Sequence, residues 1–121
     1  MKTAVVTLAI GDAILPIKEL TLPFIKKYAN RVKSDLLIID QKRINLENIG
    51  FEKYQIGDML SYYDRVIYLD LDIIVKPDCP NLFDIVSDSE LGAFICTLRI
   101  GISILLRCSH QDNRILKNRS K

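Results

Sequence analysis

The chain has 121 residues, of which 49% are hydrophobic and 26% are charged, a balance typical of one globular domain with a modest core. This composition excludes collagen-like, coiled-coil and largely disordered chains, and no apolar stretch reaches the roughly 18 residues of a membrane span. The net charge is +2 but unevenly distributed, since residues 1–98 carry 11 basic and 14 acidic side chains and residues 99–121 are strongly basic.

The cysteines and the basic C-terminal segment indicate where the protein resides and what it does not bind. Cys79, Cys96 and Cys108 form no CxxC pair, so we interpret them as free thiols in a reducing cytoplasm. The basic segment contains no aromatic residue among its cations. We therefore predict a solvated tail there and no binding of nucleic acid.

The first forty residues predict a strand, a helix and a second strand. Residues 3–9 are mostly apolar and show no polar face, which is typical of a strand buried on both faces. A helix follows, which Pro23 should kink or split. The predicted apolar face of this helix consists of Ile17, Leu20, Phe24 and Tyr28. Residues 35–40 then predict a second short apolar strand.

The next segments predict a second helix and a third strand. Residues 51–63 have helical spacing of apolar residues, and Lys53 flanks the apolar side. The apolar residues of this helix are Ile56, Met59, Leu60 and Tyr63. Residues 65–70 predict the third strand, and the alternation over residues 96–104 predicts another. The order strand, helix, strand, helix, strand is typical of an α/β, Rossmann-like parallel sheet flanked by helices.

Two carboxylates, Asp70 and Asp72, stand two positions apart where the third strand ends. An unpaired buried carboxylate is costly and like charges repel, so the pair requires water or a cation. Ligands of open α/β sheets bind beyond the carboxyl ends of the strands, where this pair is predicted to lie. One interpretation is a metal–diphosphate site, because Mg²⁺ and Mn²⁺ prefer oxygen ligands and bridge carboxylates to substrate phosphates.

Two further interpretations of the pair remain open. A phosphatase of the haloacid dehalogenase type also has two aspartates after a buried strand, but Ile73 and Ile74 stand where those enzymes have Gly-Thr. The other interpretation is a pair of solvated or helix-capping acids with no chemistry, because such a spacing arises often by chance.

The surrounding sequence resembles a known family. The segment YDRVIYLDLDIIVKPDCPNLFDI is similar to the metal-binding region of GT-A-fold nucleotide-diphosphosugar glycosyltransferases, in particular glycosyltransferase family eight, the glycogenin-like group. AVVTLAIGDA resembles the first strand and nucleotide loop of that family, and FEKYQIGDMLSYYDRVIYLD resembles its lysine-bearing helix. The three segments occur in the family's order over residues 1–95.

The resemblance implies a role for eight residues. Asp70 and Asp72 would hold Mn²⁺ or Mg²⁺ on the diphosphate of a nucleotide sugar, commonly a UDP-sugar, and Leu71 would lie near the ribose. Lys53 would reach the donor sugar or phosphate. The residues that would border the base and ribose are Leu8, Ala9, Ile10 and Gly11.

The resemblance ends after residues 91–94, whereas family members continue and supply a downstream metal-binding histidine and the acceptor pocket. The one histidine here, His110, lies in the unmatched segment, so no ligand role is assigned to it. We therefore predict a partial, truncated GT-A-like domain over residues 1–95 and a basic tail over residues 96–121, with one strand and then disorder. The predicted function is a glycosyltransferase using a nucleotide-sugar donor, and the alternative is an inactive module that binds nucleotide and metal.

Overall fold

A computed structural model describes residues 1–94 and 103–107, and in this part the chain forms one five-stranded mixed sheet. The strands are β1 (Thr3–Leu8), β2 (Asp35–Ile39), β3 (Arg65–Tyr68), β4 (Gly92–Phe94) and β5 (Ser103–Arg107). Their order across the sheet is β2-β1-β3-β5-β4. β1 pairs in parallel with β2 and β3, which confirms the predicted α/β class and its three parallel strands. β5 adds antiparallel pairings with β3 and β4.

β1 and β3 are buried on both faces, as their continuous apolar sequences predicted, whereas β2 at the sheet edge is mostly half-buried. Neighbouring residues of β1 point into different clusters, because side chains alternate across a strand. Val5 packs with Ile25 and Ile67 on the face covered by the first helix. Ala4 and Val6 pack on the opposite face, with Ile56 and Tyr68 among others. Each face of the sheet therefore has its own apolar core.

The first helix, α1, spans Leu15–Arg31 without interruption and follows a 3₁₀ turn at Asp12–Ile14. Of the two effects predicted for Pro23, the split is wrong, since Pro23 lies inside the continuous helix at an exposed position, and the kink stays a prediction. The carbonyl that Pro23 leaves without its usual donor belongs to exposed Glu19, where water can satisfy it.

The predicted apolar face of α1 is wrong for two of its four residues. The buried residues of α1 are Thr21, Ile25, Tyr28 and Ala29. Tyr28 is buried and Phe24 packs against the same core, whereas Leu20 is 63% exposed and Ile17 is 38% exposed. The sheet covers the face of the helix centred on Ile25, which includes a threonine.

The predicted second helix is shorter and mixed in type. Ile49–Gln55 is a 3₁₀ helix, and only Ile56–Met59, which we call α2, is α-helical. The apolar residues predicted for it do face the sheet, since Ile56 is buried and Met59, Leu60 and Tyr63 pack against the same cluster. The tighter 3₁₀ geometry accompanies a cap at Asn48, whose side chain accepts a hydrogen bond from the Gly50 N–H.

A short third helix, α3 (Leu82–Ile85), is fastened to β3 by a buried arginine. Arg65 donates hydrogen bonds to the carbonyl oxygens of Phe83 and Val86, at 2.7 and 2.5 Å. It also forms an ion pair with Asp88 at 3.2 Å. α3 follows the proline-containing segment of residues 76–80.

The C-terminal predictions are tested only in part. The last two residues of the strand predicted over residues 96–104 belong to β5, and residues 96–102 lie outside the described residues. The boundary near residue 95 and the tail beyond residue 107 stay predictions, as do the free thiols of Cys96 and Cys108, whereas Cys79 is a free thiol. No helix in the described part of the chain combines the length and apolarity needed to cross a membrane.

Candidate functional site

The carboxyl ends of the three parallel strands bring the predicted site segments to one edge of the sheet. β1 lies between β2 and β3, so residues 9–11, Asp40 and residues 70–72 follow three adjacent strands. Neighbouring strands are about 4.8 Å apart. The register pairs Leu8 with Ile39 and Val6 with Tyr68, which keeps the three strand ends level to within about two residues.

The segment Asp70–Leu71–Asp72 forms a turn directly after β3. β3 ends at Tyr68, two residues before the predicted end, although the Leu69 N–H still donates to the Val6 carbonyl at 2.9 Å. Asp70 is half-buried and Asp72 is exposed. Leu71 between them is 4% exposed and packs into the core under α1. The turn therefore directs its apolar residue inward and leaves its acids accessible.

The backbone of this turn is held from α1 by a threonine. The Thr21 hydroxyl lies 2.5 Å from the carbonyl oxygen of Leu71 and 2.8 Å from that of Ile17. Its single proton can be donated to one acceptor at a time, and the contact with Leu71 is the shorter. Thr21 is 3% exposed, so the Leu71 carbonyl has little access to water in its place. The buried hydroxyl thus links the helix to the middle of the acidic turn.

Tyr68 interacts with both acids and lies on the face of the sheet opposite α1. It is 2% exposed, and burial is the main cause that raises the pKa of its phenol. The charge of Asp70 and its hydrogen bonding with the phenol raise that pKa further, and the charge of Asp72 adds to this. Both carboxylates therefore act on one buried hydroxyl.

Lys53 lies on the same face as Tyr68. Its ammonium nitrogen is 5.5 Å from the centre of the Tyr68 ring, a distance at which a cation is attracted to an aromatic face. Lys53 is half-buried and sits in the 3₁₀ helix before α2. The structure thus brings the predicted lysine to the neighbourhood of Asp70 through a shared neighbour.

The predicted nucleotide loop follows β1 beside the acidic turn. Leu8 and Ile10 are half-buried and pack on the Tyr68 face, whereas Ala9 is buried on the α1 face. The Ala9 N–H donates to the Ile39 carbonyl at 2.9 Å, so Ala9 extends the pairing with β2. Gly11 is exposed with φ of 86°, a conformation that side chains rarely adopt. The loop thus opens at a position suited to glycine.

The donor set at the turn fits a hard divalent cation that shares its coordination with a substrate. Asp70 and Asp72 supply carboxylate oxygens, and Asp72 is open to solvent. Within residues 1–94 and 103–107 no cluster of three His, Cys, Asp or Glu side chains could hold an ion. Asp70 and Asp72 are too few ligands for a four-coordinate zinc site. They suit Mg²⁺ or Mn²⁺, which retain bound water molecules and bind substrate phosphates.

A buried acid, Glu52, orders the loop that follows β2. Its carboxylate accepts hydrogen bonds from the backbone N–H groups of Arg43, Ile44 and Asn45 at 2.9 to 3.1 Å, and from the Gln55 amide at 2.7 Å. Burial alone would raise the pKa of Glu52, but these donors outweigh it and lower the pKa to about 2. Beside this loop is an open cavity of about 200 Å³. Asp40, Arg43, Asp58 and Tyr62 are among its lining residues.

Sequence reasoning missed Thr21, Tyr68 and Glu52. Tyr68 had a usable signal, since it precedes Asp70 by two residues on a strand and so shares its face. Thr21 and Glu52 had none, because their partners lie 50 residues away in one case and in an irregular loop in the other.

Comparison with known proteins supports the fold. The chain is similar to a solved structure described as a glycosyltransferase involved in the glycosylation of the major capsid of PBCV-1, with a TM-score of 0.62 and 10% sequence identity. The match covers 88% of this chain and 60% of that one, so this chain spans less than two thirds of its length. No protein-family model matches the sequence, and no curated protein matches it significantly. The GT-A-like fold is confirmed, and membership of glycosyltransferase family eight stays a prediction.

Proposed function

We propose that this chain is the donor-binding part of a glycosyltransferase that transfers a sugar from a nucleotide diphosphate, with a UDP-sugar as donor. The observation that carries the proposal is the turn at Asp70–Leu71–Asp72, placed at the carboxyl edge of a parallel sheet next to the loop after β1. The fold shared with a known glycosyltransferase supports it.

Each part of this edge contributes a different function in the proposal. Asp70 and Asp72 hold Mn²⁺ or Mg²⁺ against the donor diphosphate. The cation, when bound, neutralises the charge that develops on the leaving diphosphate. Lys53 supplies a positive charge for the donor sugar or phosphate, and the loop from Leu8 to Gly11 borders the base and ribose. Leu71 and Thr21 hold the turn in place, so the acids need little reorganisation when the metal binds.

The first test is calorimetry with UDP in the presence of Mn²⁺, followed by Asp72→Asn. The substitution removes one charged ligand and preserves side-chain shape, so Mn²⁺-dependent binding of UDP should be lost while the fold is kept. In the parent, ligand at a hundredfold excess over its dissociation constant stabilises the fold by about 2.7 kcal/mol, which a thermal melt detects. Asp84→Asn, at an exposed position on α3, removes an equal charge away from the turn and should keep the full shift.

A donor-turnover assay separates the enzyme from the inactive module. Sugar transfer or hydrolysis of the donor supports the enzyme, whereas UDP and Mn²⁺ binding without turnover supports the module. If the parent protein binds neither UDP nor Mn²⁺, both the enzyme and the inactive module are ruled out. If UDP and Mn²⁺ raise the melting temperature of Asp72→Asn as much as that of the parent, Asp72 is not a ligand.

A further inference from the structure

A second cavity lies behind the acidic turn, on the α1 face of the sheet. It has a volume of about 270 Å³ and is formed between the C-terminal half of α1 and residues 75–77. Its lining residues are Phe24, Lys27, Tyr28, Arg31, Val75, Lys76 and Pro77. We call it the α1 cavity. It shares no lining residue with the predicted donor site.

The charge of the α1 cavity is entirely positive. Lys27, Arg31 and Lys76 line it, and no acidic residue does. Within the part of the chain that the structure describes, none of these three cations forms an ion pair. Like charges gathered around one concave surface repel each other, and an anion bound between them relieves this repulsion.

The wall of the α1 cavity is held in shape by two anchored side chains. Arg31 donates a hydrogen bond to the Cys79 carbonyl, and its guanidinium carbon lies 5.4 Å from the centre of the Tyr28 ring. The Tyr28 hydroxyl accepts from the Leu82 N–H at 3.0 Å and donates to the Pro80 carbonyl at 3.2 Å. These bonds tie α1 to residues 79–82, so the form of the cavity does not depend on its two exposed lysine side chains.

The remaining lining is apolar. Phe24 is half-buried, Val75 is 9% exposed, and Pro77 adds an exposed ring to the lining. A cavity lined by both cations and apolar groups suits a ligand with an anionic head and an apolar body. Arginine and lysine together are typical of phosphate recognition.

We propose that the α1 cavity binds a phosphate group carried by an apolar body, either a small organic phosphate or the headgroup of a phospholipid. This site is separate from the proposed donor site and requires no metal. Its wall begins three residues after Asp72, and Val75 shares the core cluster of Leu71.

The test uses the whole chain in a chelating buffer without divalent cations, so that the acidic turn takes no part. In one arm, inorganic phosphate and phenyl phosphate are titrated by calorimetry. In the other, the protein is pelleted with phosphatidylcholine vesicles that contain or lack phosphatidic acid. Phenyl phosphate should bind more tightly than inorganic phosphate, because it also fills the apolar wall.

The variants Lys27→Ala and Lys76→Ala should each weaken binding about tenfold, since each removes one charge-assisted contact. Lys26→Ala is the matched control, because Lys26 is exposed on the same helix and does not line the cavity. It should change binding less than about twofold. All three side chains are exposed, so circular dichroism should show an unchanged fold.

The two arms distinguish the sources of the phosphate. This variant pattern with phenyl phosphate supports a small organic phosphate, and the same pattern with vesicles alone supports a phospholipid headgroup. Equal losses for Lys26→Ala and the two cavity variants would reveal attraction to general positive charge and overturn the proposal. Absence of binding in both arms overturns it as well, and so does phenyl phosphate that binds measurably but no more tightly than inorganic phosphate.

Discussion

Replacing Thr21 by valine should weaken both the fold and the proposed metal site, because one hydroxyl serves both. Valine keeps the shape of threonine but leaves the Leu71 carbonyl without its donor at 2.5 Å. Leu71 and Thr21 are 4% and 3% exposed, so water cannot readily replace the lost partner. A buried acceptor without a partner costs about 1–3 kcal/mol, and we expect the free energy of unfolding to fall by about 2 kcal/mol.

The assay is urea denaturation of the parent, Thr21→Val and Thr21→Ser, followed by calorimetry with Mn²⁺ and UDP. Serine keeps the hydroxyl and loses a buried methyl group, which costs about 1 kcal/mol without freeing the turn. Valine should therefore lower the affinity for UDP with Mn²⁺ about tenfold, whereas serine should leave it near the parent value. Equal unfolding free energies for parent and Thr21→Val would refute the reasoning about the turn. If Thr21→Ser loses as much UDP affinity as Thr21→Val, packing and not the hydroxyl positions the acids.

Three further predictions concern the buried polar groups. The pKa of Glu52 lies near 2, below its ordinary 4.5, so it stabilises the fold above pH 4.5 and this contribution disappears towards pH 2. Glu52→Gln should lower the urea midpoint at neutral pH. The difference in urea midpoint between parent and variant should become smaller as the pH falls from 4.5 to 2, and a difference that stays constant would contradict this. Arg65→Met should lower the unfolding free energy measured in urea by about 2–4 kcal/mol, because it leaves two carbonyl oxygens without their donor. Asp88→Asn removes only a partly exposed ion-pair partner of Arg65 and should lower it by less than about 1 kcal/mol. Tyr68→Phe should weaken calorimetric UDP binding with Mn²⁺ several-fold by removing the hydroxyl beside Asp70, and unchanged binding would rule out that support.

The three parallel strands could be predicted because each is a short apolar run bounded by polar residues. Burial on both faces removes the alternation that would otherwise complicate the pattern. The helices were harder. In α1 the stripe containing Leu20 is as apolar as the stripe containing Ile25, and only packing against the sheet decides which is buried. Helix propensity and hydrophobic periodicity do not determine which face of α1 packs against the sheet.

The acidic turn was located from its position at the end of a strand, a general property of parallel sheets. What holds it could not be predicted in the same way. The bond from Thr21 joins residues 50 positions apart, and the cage around Glu52 depends on the backbone path of an irregular loop. The 3₁₀ conformation before α2 belongs with that cage, since Gln55 donates both to Glu52 and to the Gln41 carbonyl at 2.8 Å.

The position of β5 between β3 and β4 has a consequence for folding and aggregation. β3 can pair with β1 once residue 68 has been synthesised, but its other side stays open until residues 103–107 are available. An open edge on an apolar strand is a template for pairing with another chain. During synthesis, then, the strand before the acidic turn exposes an unpaired apolar edge until β5 pairs with it, and β5 lies outside the recognisable sequence pattern.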